Sequence, residues 1–273
     1  MSLSDWLRLR EPADVAARSD ALAQWVAAAL PRDRAITAID LGTGSGANIR
    51  YLAPRLPPDQ RWLAVDNDRA LLAEIPARVA AWTEGTAARV RVETRQMTLG
   101  GREHPELFAD RDFVSASALL DLVSTSWLEW LASQCAAAGA VVLFALTYNG
   151  RASCTPAEPD DGHICDLLNR HQKISDKGFG PAAGPDAAAF AERLFTTYGY
   201  RVRSEPSDWI LTPEMGDLQR QLIQGWADAA FAMAAHDAAM VHDWLARRLA
   251  HVDGGRSQIV VGHTDLAATF GTP

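Results

Sequence analysis

Three glycines at alternate positions, Gly42, Gly44 and Gly46, follow an apolar run that carries an acid, Ala38-Ile39-Asp40-Leu41. Where a strand turns sharply into a helix, missing Cβ atoms let a ligand lie against bare backbone at the helix N-terminus. That is the chemistry of a nucleotide-type cofactor site. Gly42, Gly44 and Ala47 also satisfy the dinucleotide fingerprint Gly-x-Gly-x-x-Gly/Ala, so a nicotinamide-dependent oxidoreductase is one reading. Asp40 weighs against it, because a carboxylate beside the turn repels a pyrophosphate and attracts a cation. A second acid, Asp66, ends the run Arg61-Trp62-Leu63-Ala64-Val65-Asp66 about 20 residues beyond the glycines, where a carboxylate can accept both ribose hydroxyl protons. Asp68 is its local rival, and also reads as the N-cap of a helix from Arg69.

The longer string Asp40-Leu41-Gly42-Thr43-Gly44-Ser45-Gly46 resembles the first motif of class I S-adenosylmethionine (SAM) dependent methyltransferases. The resemblance implies an α/β, Rossmann-like fold: a seven-stranded, mostly parallel sheet whose antiparallel last strand is inserted between the fifth and sixth. It also implies SAM as cofactor and S-adenosylhomocysteine as product. SAM has an ammonium and a sulfonium but no phosphate, which suits Asp40. By the same resemblance Asp40, Gly42, Thr43, Gly44 and Gly46 lie toward the amino-acid end of the cofactor, Asp66 on its ribose and Asn67 near its adenine. Where the family commonly has an Asp after the third strand, Gln96-Met97 stands here. Gln96 can accept from the adenine amine through its carbonyl, and Met97 can pack on the ring. Asp112-Phe113-Val114-Ser115-Ala116-Ser117 matches the opening of the fourth-strand motif, with Ser115 and Ala116 as further cofactor contacts.

What that strand lacks narrows the branch. No Asn/Asp-Pro-Pro-aromatic tetrad follows it, as in enzymes that methylate base or glutamine amines, and no nucleophilic Cys as in cytosine-C5 enzymes. Ser115 falls where aminopropyltransferases tend to have an acid. The remaining class transfers a methyl group to an O, N or C atom of a small metabolite by in-line displacement. A non-catalytic SAM-binding regulator is the alternative from outside enzymology.

Composition agrees. A chain of 273 residues with 48% apolar content suits one enlarged domain. A net charge of −8, with no long basic run, lacks the electrostatic footprint of nucleic-acid binding. Cys135, Cys154 and Cys165 form no Cys-x-x-Cys pair, so reduced thiols and no metal are expected. No leader-like segment opens the chain and no run of about 18 apolar residues occurs, which predicts a soluble, cytoplasmic protein away from membranes.

The elements that must position these residues alternate: strands near 35–41, 61–66, 89–94, 112–116 and 139–147, and helices near 14–30, 47–56, 69–82 and 124–137. Such alternation predicts βαβ crossovers and a mostly parallel sheet. A helix over 186–198, a sixth strand around 200–211 and a last strand from 257 to 264 complete the core. Within the single domain 1–273, residues 1–34 form an N-terminal helical segment and 35–147 the SAM-binding core. Two cap insertions follow strand ends, 148–185 and a helical 212–253. Ligands of open α/β sheets bind beyond such carboxyl ends, so both caps face the cofactor.

These caps carry the acceptor-side candidates. His171 is the proposed base, since it can titrate near neutrality. Asp121, after the fourth strand, and Tyr148, at the end of the fifth, complete the catalytic set. Asn149, Lys177, Trp209 and Trp226 are substrate candidates. Leu222, Trp226, Met233, Met240 and Trp244 recur at helical spacing, which reads as a packed face or a homodimer contact as readily as a pocket wall. Upstream, Pro12 suits a helix's first turn; Arg18 is placed to pair with the cofactor carboxylate and Arg10 with an acidic substrate.

Overall fold

A computed structural model describes residues 2–84, 89–100 and 104–270. The apolar runs become five parallel strands: β1 Ile36–Leu41, β2 Asp59–Asp66, β3 Arg89–Gln96, β4 Phe113–Ser117 and β5 Val141–Thr155. With β6 Tyr200–Pro206, β7 Trp209–Leu211 and β8 Gln258–Phe270 they make one eight-stranded sheet of order β3-β2-β1-β4-β5-β8-β6, β7 also pairing with β8. Since β8 runs antiparallel to β5, β6 and β7, the sheet has the order and polarity of the class I methyltransferase fold.

Strand alternation gives the sheet two apolar faces. On one, Ile39, Val114 and Phe144 meet α5 (Thr125–Ala138) and α7 (Ala187–Thr197). On the other, Ala38, Phe113 and Leu143 meet α2 (Asp20–Ala29), α3 (Ala47–Leu52) and α4 (Arg69–Thr83). A third core gathers Tyr148, Trp209, Leu211, Ile259 and Val261 against α6 (Asp161–Ile174), α8 (Gly216–Met233) and α9 (Ala238–Asp253).

Four expectations change. The leading helix is two: α1 (Leu3–Ala17) starts at a capping box in which Ser2 and Asp5 satisfy each other's amides, and the chain turns extended at Arg18 before α2. Pro12 therefore lies inside α1 rather than in its first turn. β5 runs on to Thr155, so the first eight residues of the first cap are strand, paired with the start of β8. The sixth strand splits at Ser207-Asp208, because the Ser207 amide bonds the His263 carbonyl while Asp208 Oδ1 accepts the His263 amide at 3.0 Å; hence eight strands and not seven. Finally, β8 extends to Phe270 and bridges β5 to both β6 and β7. Among the described residues no helix is long and apolar enough to cross a membrane.

Candidate active site

The glycine turn is built around Asp66. Its Oδ2 accepts the Gly44 amide at 2.8 Å and its Oδ1 the Asp68 amide at 2.9 Å, tying the end of β2 to the turn after β1. Asp68 caps α4 by accepting from Ala70 and Leu71. Gly42, Gly44 and Gly46 all take positive φ. A Cβ on Gly44, at φ +53°, would stand 3.1 Å from Leu7 Cδ1 of α1. Gly44→Ala is therefore expected to cost about 1–2 kcal/mol for the left-handed backbone alone, read as a lower melting temperature. An unshifted melt would mean that the turn relaxes freely.

Above this turn lies a cleft of about 390 Å³. Gly42, Thr43, Gly44, Asp66, Asn67, Met97 and Lys177 line it, as the sequence anticipates, joined by Leu71, Leu99, Ser117 and Phe179. Six of the expected cofactor residues are not on its walls. Asp40 is fully buried beneath the turn, where its carboxylate accepts from Thr43 Oγ1 (2.6 Å), Ser115 Oγ (2.8 Å) and Asn48 Nδ2. Burial raises its pKa, and these three bonds oppose the rise. Asp40 thus anchors the glycine turn and does not touch a ligand. Ser115, its register partner on β4, is spent on the same bond, and Ala116 faces the core; Ser117 and Ala118 take their place. Gly46 serves as the left-handed N-cap of α3. Gln96 turns its amide to the Asn67 carbonyl at 3.2 Å. Arg18 lies buried between α1 and α2, its guanidinium 4.0 Å from the centre of the Tyr51 ring, and reaches no cavity wall.

The cleft opens into a chamber of about 550 Å³ under the caps. Trp6, Arg10, Ala118 and Leu122 stand on the walls of both. Beyond them the chamber is faced by Asp121, Leu146, Tyr148, Leu168, Gln172, Trp209, Trp226 and His263. Two of the three non-glycine residues with positive φ among the described residues, Ala118 (+52°) and Leu146 (+55°), are wall residues. At Leu146 β5 bulges against β8, and Asp265 Oδ1 accepts the Leu146 amide at 2.8 Å. Such strain persists only where surrounding bonds enforce it, and it concentrates at ligand sites.

Within the chamber Arg10 is committed to Asp14 through Nε and Nη2, and its guanidinium lies 4.9 Å from the centre of the Trp209 ring. Trp209 donates its Nε1–H to the same Asp14 at 3.0 Å. Arg10 stands on both cavity walls, as expected of a substrate contact, but it meets a ligand as half of an ion pair with Asp14. Tyr148 donates its hydroxyl to Asn169 Oδ1 at 2.9 Å. His263 lies opposite Tyr148 in the ladder, its ring between those of Tyr148 and Trp209. Burial, and next the Arg10 charge, push its pKa down to about 4, so it is neutral at pH 7. Burial pushes Asp121 the other way, up to about 6.

His171 is not on the chamber wall. The phase of α6 turns Leu168 and Gln172 inward and leaves His171 in a side recess with Asp121, Ser175 and Lys177. Asn149 is held in the extended β5 by a bond to Thr264 Oγ1 at 3.3 Å, away from both cavities. The residues that sequence reasoning missed are Trp6, Gln172 and His263. Two signals pointed toward them: the Ser2-x-x-Asp5 capping box, and a histidine within the last strand between the apolar runs Ile259-Val260-Val261 and Leu266-Ala267-Ala268.

No family model matches the sequence, and no curated protein does. Solved structures of like fold exist at low identity. A cyclopropane synthase from Mycobacterium tuberculosis is 12% identical, over 90% of this chain and 82% of that one, with a TM-score of 0.45. An O-methyltransferase family protein from Burkholderia thailandensis is 16% identical over 95% of this chain, at a TM-score of 0.48, and the matched region is 57% of that longer chain. A small RNA methyltransferase is 13% identical over 67% of this chain and 22% of its own, again with a TM-score of 0.45. The activity named differs from one to the next.

Proposed function

We propose that the protein is a SAM-dependent methyltransferase acting on a small molecule. The observation that carries this reading is the continuity of the two cavities: a cradle of bare glycine backbone opens into an aromatic-walled chamber, with Trp6, Arg10, Ala118 and Leu122 common to both. The cradle suits SAM better than a dinucleotide. The Gly44 amide, which a pyrophosphate would need, already donates to the Asp66 carboxylate, and that negative charge favours a cationic cofactor. In this reading Asp66 accepts from the ribose, Asn67 and Met97 flank the adenine, and the Gly42–Ser45 backbone lies along the amino-acid end.

SAM, when bound, supplies a methyl group on a positively charged sulfur. The protein's part is then largely positioning, which can contribute roughly 7–11 kcal/mol. The chamber walls orient the acceptor toward the shared opening, and the roof of α6 and α8 keeps water out. A neutral His263 and an ionised Asp121 are the proton-accepting groups at hand, in place of His171.

Calorimetric titration with SAM, S-adenosylhomocysteine, NAD and NADP tests the assignment. Binding of the first two alone is expected. Tight NAD binding without SAM binding would return the glycine turn to an oxidoreductase. A regulator without turnover has no use for a second chamber beside the cofactor cleft, which is why the enzymatic reading is preferred.

A further inference from the structure

The chamber wall carries hydrogen-bond acceptors without partners. Three buried polar atoms without any partner belong to residues that face it: Asp121 Oδ1, Gln172 Oε1 and His263 Nδ1. A buried polar atom left without a partner costs about 1–3 kcal/mol, so a ligand that pairs with it gains affinity. An ionised carboxylate and an amide oxygen only accept, and a neutral imidazole has one free lone pair. A ligand that satisfies them must bring N–H or O–H donors.

The charges narrow the class further. Arg10, Asp121 and Asp228 are the charged residues on the chamber wall; Arg10 is paired with Asp14 through Nε and Nη2, and the other two are both acidic. The titratable groups around Asp121 are otherwise Tyr148 on β5, His171 on α6, Lys177 in the turn after it, and His263 on β8. The chamber lining therefore favours a cation and disfavours a carboxylate. Trp6, Trp209, Trp226 and Tyr148 present aromatic surface to the remainder of the ligand, and aromatic faces attract ammonium groups.

We infer that the methyl acceptor is a primary or secondary amine on an aromatic or otherwise apolar body, its nitrogen seated against Asp121, Gln172 and His263. An ammonium group offers two or three N–H donors to these acceptors; one proton would pass to the Asp121 carboxylate and free the nitrogen lone pair, which would take the methyl group as the S–CH₃ bond of SAM breaks and S-adenosylhomocysteine leaves. This inference rests on the methyltransferase reading only for the word acceptor; the amine site itself stands or falls by binding.

Matched probes on one ring system test it: tryptamine, tryptophol and indole-3-acetate, titrated calorimetrically into the full-length protein at pH 7.5, with 2-phenylethylamine, 2-phenylethanol and phenylacetate as a second set. In at least one set the amine is expected to bind at least tenfold more tightly than the alcohol, and the acid not to bind. Asp121→Asn should weaken the amine at least tenfold and leave the alcohol unchanged, and Gln172→Met should weaken the amine severalfold. Cooperative melting at or above the wild-type temperature would exclude misfolding as the cause of any loss. Preference for either acid, indifference of the amine to Asp121→Asn, or failure of both amines to bind would overturn the inference. The SAM titration is read separately: amine binding without SAM binding would keep the site and remove the methyltransferase, and SAM binding without amine selectivity would do the reverse.

Discussion

An Asp66→Ala protein is expected to fold and to bind SAM at least about a hundredfold more weakly than the wild type. A hydrogen bond to a charged group contributes about 1.5–3 kcal/mol, and a ribose offers two hydroxyls, so about 3 kcal/mol is the lower bound, equivalent to about two decades of affinity. The same substitution frees the Gly44 amide, so the glycine turn loses the bond that ties it to β2. Asp68→Ala separates the two acids. It removes the cap on α4, which accepts from Ala70 and Leu71, and should cost about 1 kcal/mol of stability with little change in SAM affinity. Calorimetry and thermal melting of both variants distinguish these effects. SAM affinity unchanged in Asp66→Ala would take the residue out of the ribose role.

The contrast between Asp66 and Asp40 shows which features could be read from the chain alone. Both end or nearly end an apolar strand, and both sit beside the glycine turn. Alternation says that successive side chains point to opposite faces but not which face becomes cleft and which becomes core. Asp40 lies across the ladder from Ser115, 75 residues away, and local pattern carries no trace of that pairing. The same limit applies to the chamber. Its strained wall at Leu146 is enforced by Asp265, 119 residues further on, and His263 reaches the site because β8 lies against an extended β5, opposite Tyr148. The helices α6 and α8 were legible as caps from their place after strand ends. Which of their residues would face inward was not, since that depends on helical phase against partners distant in sequence; hence His171 was favoured over Gln172.

Stability between pH 4 and 6 is expected to owe little to either titrating residue of the chamber, because Asp121 and His263 act there in opposite senses. Burial raises Asp121 from 3.8 to about 6, so the folded state keeps a proton that the unfolded chain gives up. Its contribution is full below about pH 4 and is lost as pH rises through 6. Burial, with Arg10 second, lowers His263 from 6.5 to about 4, so its contribution is full above pH 6.5 and is lost as pH falls through 4. With shifts from 3.8 to about 6 and from 6.5 to about 4, each is an effect of about 3 kcal/mol, and the two slopes nearly cancel. Single substitutions unmask them. Asp121→Asn should be about 3 kcal/mol more stable than the wild type at pH 7, with the advantage fading toward pH 4. His263→Gln should leave the Asp121 slope alone, so that the variant gains on the wild type as the solution is acidified from pH 6.5 to 4. Urea melts across this range, compared as differences from the wild type, remove the contribution of every other carboxylate. A constant difference between Asp121→Asn and the wild type would mean that Asp121 is not a buried charge, and would remove the electrostatic basis for a cation in the chamber.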